Sequence, residues 1–325
     1  MKSFDEVYGL FAFEEWRERN NARSDTRLDL RDTRESSGCP RLPTLPVSSF
    51  AALVTVISYL TVMNKRRTLL FRGQTQDFPR MVPALYRDVW PHWGEPGPPP
   101  VPIAGAREYF WDTLTEVEAR VLAVLWEEGL PRWRHVKFTR PAKWAVIQHY
   151  DLWPTPLLDF STSLRVAASF AFGLDPNASR GWLYVIGARS IRSDLMPLQT
   201  PEDSSPVGNH FDPADKEELD AEMLTIRLNA VCPPSTVRPH LQEGVLIGHY
   251  PLDPPALTRV DAHDAGSVVV AKIELVNDGG FWSRDFPIHT EASLLPTDEH
   301  DPLAARLRAA MHYEWTYSCE VALGP

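Results

Sequence analysis

Residues 148–172 read QHYDLWPTPLLDFSTSLRVAASFAF, and the local order of helix, strand and helix in this stretch decides the fold class. Pro154 and Pro156 end a predicted helix, because the residue before a proline is displaced from the helical conformation. Leu157–Phe160 follows as a short apolar run that predicts a buried strand. Leu164–Phe172 is rich in alanine and predicts the next helix. Helices and strands therefore alternate, which indicates a mixed α and β protein.

Working outward, the rest of the chain also mixes the two element types. Helices are predicted at Phe4–Arg19, Phe50–Met63, Ala106–Glu128, Pro141–Tyr150 and Asp301–Tyr313. Strands are predicted at Thr68–Phe71, Gly181–Ala188, Gly244–Tyr250, Ser267–Leu275 and Thr316–Leu323. The pattern of Ala221–Leu228 is compatible with either a helix or a strand. Polar segments at Asn20–Pro46 and Pro197–Asp215 predict a linker and a long excursion. We therefore expect an N-terminal helix and linker, residues 1–47, and one domain, residues 48–325.

The composition favours a cytoplasmic protein that does not bind nucleic acid through charge alone. The 325 residues carry a formal net charge of -10, whereas sequence-independent binding to nucleic acid depends on lysine and arginine at phosphates. Cys39, Cys232 and Cys319 are widely spaced, so neither a disulfide framework nor a cysteine zinc site is predicted. Met1–Asn20 lacks the zones of a secretory signal. Phe50–Met63 is shorter than the roughly 20 residues that span a bilayer, so no membrane insertion is expected.

Arg72 and Gly73, in the sequence Phe71-Arg72-Gly73-Gln74, are the first candidates for a binding site. An arginine at the end of a strand can hold a phosphate or a carboxylate with two parallel hydrogen bonds. We expect Gly73 to break the strand and to permit close approach of a phosphate or of another backbone. A structural salt bridge of Arg72 is the alternative.

Polar side chains within residues 148–172 are the second candidates. Ser161, Thr162 and Ser163 lie where a strand gives way to a helix, so their hydroxyls either cap the helix or hold a ligand ribose. His149 offers a hydrogen-bond donor and an acceptor, and Tyr150 offers an aromatic face that can stack on a flat ring. A histidine packed in the core is the alternative for His149.

Gln242 and Glu243 precede a predicted strand and are the third candidates. A carboxylate at this position can stabilise the positive charge that develops on a sugar during glycosyl transfer. An exposed glutamate at a sheet edge is the alternative. The sequence has none of the motifs of zinc proteases, Rossmann dinucleotide folds, P-loops or GxSxG hydrolases, and no metal site is predicted.

The segments quoted above resemble the FRG domain family, which is named for its Phe-Arg-Gly motif, over about Ser48–Tyr313. The matching segments are Phe71–Gln74, Gln148–Tyr150, Pro154–Thr155, Leu157–Phe160, Ala167–Ala171, Arg227 with Gln242 and Gly244, and Ser293–Pro296. The sequence departs from the family pattern at Asp151, Pro156 and Phe160, where the family has glycine, arginine and tryptophan. An anion contact by the family's arginine is therefore not carried over to Pro156.

FRG domains look like distant relatives of the ADP-ribosyltransferases, which implies an α+β fold with a split mixed β-sheet, flanking helices and a cleft for NAD as substrate. By this resemblance Arg72, with Gly73 and Gln74, contacts the phosphates or ribose of NAD. Ser161–Ser163 would support the nicotinamide ribose, and His149 with Tyr150 would hold the nicotinamide.

The resemblance also implies a late glutamate that orients the ribose and stabilises its oxocarbenium ion. Glu243 is the first candidate for this role and the neighbouring Gln242 the second, because only a carboxylate supplies charge. Glu291 and Glu320 are alternative candidates for the late glutamate. The implied function is transfer of ADP-ribose to a macromolecular acceptor or hydrolysis of NAD, in a toxin-like or defensive setting. A non-catalytic nucleotide-binding sensor and a scaffold module with a buried hydrogen-bonded network are the alternatives.

Overall fold

The computed structural model describes residues 44–65, 67–78, 81–87, 106–127, 139–188, 223–232, 236–249 and 269–311. The helix predicted at Phe4–Arg19, the excursion at Pro197–Asp215 and the strand predicted at Thr316–Leu323 lie outside these residues. The chain divides into two compact units. Unit 1 comprises residues 1–81, 160–191 and 265–294, and unit 2 comprises residues 82–159, 192–264 and 295–325.

Helices and strands alternate along the described residues. The strands are β1 (Thr44–Val47), β2 (Thr68–Gln74), β3 (Leu158–Ser161), β4 (Arg180–Ala188), β5 (Met223–Arg227), β6 (Gly244–His249) and β7 (Val269–Val276). The helices are α1 (Phe50–Met63), α2 (Ala106–Glu127), α3 (Arg140–His149), α4 (Leu164–Ala171), α5 (Leu228–Val231), α6 (Arg238–Leu241) and α7 (Glu291–Leu294). A 3-10 turn spans Ala84–Tyr86, and a last helix, α8, spans residues 302–311.

Unit 1 is built around a mixed sheet with the strand order β1-β7-β4-β2-β3, in which only Phe160 and Ser161 of β3 belong to this unit. β1 and β7 pair in parallel, whereas the β7–β4, β4–β2 and β2–β3 pairs are antiparallel. Phe71, Leu183 and Ile273 point to one face of this sheet, where residues of α1 and α4 complete a buried apolar core. A mixed sheet with flanking helices confirms the predicted α+β class.

Two glycines allow α4 to lie close to this sheet. A Cβ on Gly73 would lie 1.9 Å from the carbonyl oxygen of Ala167 and 2.5 Å from the amide nitrogen of Ala171. A Cβ on Gly181 would lie 2.3 Å from the carbonyl oxygen of Ala171. The close approach that Gly73 permits is therefore by the backbone of α4. β2 continues through Gly73 to Gln74, so the expectation that Gly73 breaks this strand is wrong.

Unit 2 has a separate core formed largely by α2, α3 and α8. A buried carboxylate, Glu118, joins α2 to α3: it accepts hydrogen bonds from Nε of Arg140 at 2.6 Å and from Nε1 of Trp144 at 2.8 Å. Nζ of Lys143 lies 3.0 Å from the same carboxylate. Removing one member of such a buried cluster costs more than the cluster contributes, because the others are left without partners. β5 and β6 of this unit form an antiparallel pair.

Most of the predicted elements in the described residues are confirmed, and the differences lie in short segments. Thr44–Val47, at the end of the predicted linker, forms β1 because Leu45 and Val47 are buried in the core of unit 1. The segment left open between helix and strand forms β5 and then one helical turn. α5, α6 and α7 have four residues each, too few to show helical periodicity. Among the described helices, none has the length and apolar character needed to cross a membrane.

Candidate functional site

Arg72 lies on β2 in the interior of the unit 1 sheet, between β4 and β3. The register places Arg72 opposite Tyr184 of β4, and Tyr184 opposite Lys272 of β7. Directly opposed residues of antiparallel strands share one face, so these three side chains form a row across the sheet, which we call the Arg72 row. Because side chains alternate along a strand and Gly73 faces α4, the Arg72 row lies on the face away from α4.

Asp77, which follows β2, joins two members of the Arg72 row. Its carboxylate accepts hydrogen bonds from the hydroxyl of Tyr184 at 3.0 Å and from Nζ of Lys272 at 2.6 Å. Burial raises the pKa of the Tyr184 phenol, the carboxylate of Asp77 raises it further, and the positive charge of Arg72 lowers it. Tyr184 is therefore neutral, and the row together with Asp77 contains two cations and one anion. Its net charge is positive.

Ser161 lies next to Arg72 in the sheet but faces the other way. β3 pairs with β2 through Phe71 and Ser161, so the Ser161 side chain shares the face of Phe71, and Arg72 lies on the reverse. Oγ of Ser161 accepts a hydrogen bond from the amide of Ser163 at 2.9 Å. Oγ of Ser163 in turn caps α4, whereas Thr162 is exposed. For Ser163, the structure matches the capping alternative.

Three polar residues of the 148–172 segment hold one another within unit 2. Nε2 of Gln148 donates to Oδ2 of Asp159 at 2.8 Å, and Oε1 of Gln148 accepts from the hydroxyl of Thr155 at 2.6 Å. The Thr155 hydroxyl also accepts from the amide of Leu157 at 3.3 Å. One glutamine amide therefore connects the end of α3 to the start of β3. The spacing of Gln148, Thr155 and Asp159 has a structural reason that is independent of any ligand.

His149 and Tyr150 are enclosed by unit 2, with 2% and 1% of their surfaces exposed. The Tyr150 hydroxyl donates to Oδ2 of Asp301 at 3.1 Å, and the amide of Arg238 donates to the same oxygen at 3.3 Å. Burial lowers the pKa of His149 well below its usual value, and the positive charge of Arg238 lowers it further. Burial raises the pKa of Tyr150, and the charges of Cys232 and Asp301 raise it further. The structure matches the core alternative for His149, and contact with nicotinamide stays a prediction.

Gln242 and Glu243 lie in the turn between α6 and β6, so they precede the strand as predicted. Gln242 ends α6, and Glu243 is exposed with a φ of 46°. A left-handed backbone at a residue with a Cβ costs about 1 kcal/mol. Of the other late glutamates, Glu291 is exposed in the first turn of α7, and Glu320 lies outside the described residues.

The predicted site residues divide between the two units. Unit 1 contains Arg72, Gly73, Gln74, Ser161, Thr162, Ser163 and Glu291. Unit 2 contains His149, Tyr150, Gln242 and Glu243. Within unit 1 the structure brings Arg72 and Ser161 onto adjacent strands, and within unit 2 it makes His149 and Tyr150 neighbours of Arg238 and Asp301. In the ranges that the structure describes, no group of three or more histidine, cysteine, aspartate or glutamate side chains is arranged to hold a metal.

Sequence reasoning missed the partners that give these residues their environment. Tyr184 and Lys272 carry a usable signal, because polar residues alternate with apolar ones in β7, Val269–Val276, and such alternation predicts a face that is not core. Asp77 and Asp301 carry no local signal. Asp77 is separated by 195 positions from Lys272, and Asp301 by 151 positions from Tyr150, so only the folded chain shows these contacts.

The fold and these contacts define an α+β protein with a glycine-lined helix contact on one sheet face and a cationic row on the other. The family model of the FRG domain matches residues 67–179. The chain therefore contains an FRG domain at these residues, and the resemblance to this family is confirmed for the segments that lie within them. The matched segment includes Arg72, the Gln148–Thr155–Asp159 cluster and α4. No curated protein and no solved structure matched the chain.

Proposed function

We propose that the protein binds NAD or a related nucleotide through the Arg72 row of unit 1. The observation that carries the proposal is a half-buried arginine in the interior of a sheet, on the face away from α4, within a row of positive net charge. A guanidinium fixed on a strand presents a rigid pair of donors to a pyrophosphate. Partial burial strengthens the attraction because less water screens it. The resemblance of FRG domains to ADP-ribosyltransferases supports the same assignment.

The proposed chemistry is transfer of ADP-ribose to a macromolecular acceptor, or hydrolysis of NAD. The bond between the ribose and nicotinamide breaks with its electron pair on nicotinamide, and the ribose gains oxocarbenium character. An acceptor nucleophile or a water molecule then bonds to the ribose carbon and loses a proton. A carboxylate that stabilises the cation accelerates the first step. The resemblance to ADP-ribosyltransferases, not a contact in the structure, supports Glu243 for this role and Gln242 for orienting the ribose. The proposed setting is cytoplasmic and toxin-like or defensive.

Specific observations favour each alternative. Glu243 is exposed, and the field of an exposed carboxylate is weakened by water and salt. This favours a nucleotide-binding sensor, which needs Arg72 but no catalytic carboxylate. The partly buried contact of Gln148 with Asp159 and the buried contact of Tyr150 with Asp301 favour a scaffold module, in which the family motifs serve folding alone.

Nicotinamide release from NAD distinguishes an enzyme from a sensor, and a thermal-shift titration with NAD distinguishes a sensor from a scaffold. Arg72→Lys keeps the charge but removes the paired donors, so we expect NAD to bind about 10-fold more weakly, a change of about 1.4 kcal/mol. Glu243→Gln removes the charge at constant shape. We expect it to lower nicotinamide release about 100-fold and to leave the Kd for NAD unchanged.

Matched controls separate these effects from general damage. Arg284→Lys changes an exposed arginine of unit 1, and Glu116→Gln changes an exposed glutamate of unit 2. Both are expected to behave as wild type. Glu243→Gly relieves the left-handed backbone, so it should lose nicotinamide release without losing stability. If NAD binds but no protein releases nicotinamide, the enzyme is excluded and the nucleotide-binding sensor is supported. If NAD causes no thermal shift, binding is excluded and the scaffold module is supported.

A further inference from the structure

A second row of side chains lies beside the Arg72 row on the same face of the unit 1 sheet. The register pairs Gln74 of β2 with Trp182 of β4, and Trp182 with Glu274 of β7. Each of these residues is two positions from a member of the Arg72 row, so all of them share its face. The two rows together form a block of Arg72, Tyr184 and Lys272 beside Gln74, Trp182 and Glu274.

Trp182 differs from the other large side chains of β4. Leu183 and Val185 on the opposite face are completely buried, and Tyr184 in the adjacent row is 5% exposed, whereas Trp182 is only partly buried. Within the described part of the chain, the indole of Trp182 has neither a ring contact nor a hydrogen bond. Neither full burial nor an aromatic contact therefore accounts for the large aromatic side chain at this position.

The polar groups on either side of Trp182 differ in their partners. Glu274 is held by Arg180, with 3.2 Å between Nη1 and Oε1. Gln74 is partly buried, and its amide makes no hydrogen bond to any residue that the structure describes. A glutamine amide offers donors and an acceptor together, and these suit the edge of a heteroaromatic base. The indole thus has a neutral hydrogen-bonding group on one side and a neutralised carboxylate on the other.

We propose that Trp182 stacks on the base of a bound nucleotide, that Gln74 hydrogen-bonds the edge of this base, and that Arg72 holds the phosphate. This inference rests on the proposed function and extends it to the base of the ligand. Arg72 and Trp182 are diagonal neighbours on adjacent strands, and such neighbours are about 7 to 8 Å apart, comparable with the separation of a base from its 5′ phosphate. The ligand class is a nucleotide whose base is an open heteroaromatic ring system, such as the adenine of NAD.

The experiment measures binding of NAD, AMP and ribose 5-phosphate to the full chain by isothermal titration calorimetry. Trp182→Leu keeps an apolar side chain but removes the ring, and we expect it to raise the Kd for NAD and AMP at least 10-fold, or about 1.4 kcal/mol. Trp182→Phe keeps a stacking ring and is expected to stay within about threefold of wild type. Ribose 5-phosphate has no base, so its Kd is expected to be the same in all three proteins.

Trp126→Leu is the matched control, because Trp126 is 61% exposed and lies on α2 in unit 2. Fluorescence supplies a second measurement that needs no destabilising change: the difference in emission between wild type and Trp182→Phe isolates one of the 11 tryptophans. This difference signal should be quenched by AMP and unaffected by ribose 5-phosphate.

The outcomes separate this inference from the function on which it rests. If Arg72→Lys weakens NAD binding and Trp182→Leu does not, the stacking role is overturned and the proposed function stands. If wild type binds AMP in a Trp182-dependent manner and does not bind NAD, the stacking role stands and NAD is excluded. If wild type binds neither NAD nor AMP, both proposals are overturned.

Discussion

Replacing Gly73 by alanine is expected to destabilise the protein by at least about 3 kcal/mol. The new Cβ would lie 1.9 Å from the carbonyl oxygen of Ala167, which is roughly 1.4 Å closer than the nearest carbon–oxygen contacts that proteins tolerate. Backbone atoms of α4 cannot rotate away as a flexible side chain can, so the helix must move off the sheet. Inserting one methyl group into a packed core costs about 1 to 3 kcal/mol, and a backbone clash belongs at or above the upper end.

Urea denaturation followed by circular dichroism measures this cost through the midpoint and the slope m. Gly280→Ala is the control, because a Cβ at Gly280 of unit 1 meets no atom within 4 Å. We expect this control to be neutral or slightly stabilising, since alanine reduces the entropy of the unfolded chain. If Gly73→Ala unfolds within about 0.5 kcal/mol of the control, the close approach of α4 to β2 is not what Gly73 provides.

Three further predictions concern the buried groups of unit 2. Tyr150→Phe removes the donor to Asp301, and we expect it to lower the free energy of unfolding by about 2 kcal/mol in urea; an unchanged midpoint would contradict the hydrogen bond. His149 has a lowered pKa when folded, so the unfolded chain binds its proton first, and stability should fall below about pH 6.5 by up to about 1.4 kcal/mol per pH unit. His149→Gln should flatten that dependence, and an equally steep profile would refute the assignment. Burial raises the pKa of Cys232 to about 12, so, with the other two cysteines replaced by serine, a thiol reagent at about pH 8 should react only as fast as the protein opens.

Much of the fold follows from local sequence patterns, because neighbouring residues set the ends of these elements. Pro154 and Pro156 separate α3 from β3, and Ser163 begins α4 as its cap. The small residues Ala167 and Ala171 identify α4, but they do not show that it lies on glycines. That contact depends on two strands that are distant in the sequence, so local patterns alone predict a strand end at Gly73.

The candidate site is less predictable than the fold, because its environment comes from partners far away in the chain. Arg72 is identified by the motif, but its row with Tyr184 and Lys272 requires the strand order of the sheet. Periodicity finds β4 but not which strands flank it. Trp182 is a packing residue by its type, and only the register shows it beside Gln74 on the face of Arg72.

The parallel pairing of β1 with β7 has a consequence during synthesis on the ribosome. Thr44 pairs with Lys272, so β1 emerges roughly 230 residues before its partner, a delay of about 10 to 45 s at usual elongation rates. The edge of β4 that pairs with β7 also has no partner strand until β7 is synthesised. Nascent chains therefore expose strand edges that can recruit other chains, and chaperone occupancy of ribosome-bound intermediates should persist until β7 has left the exit tunnel.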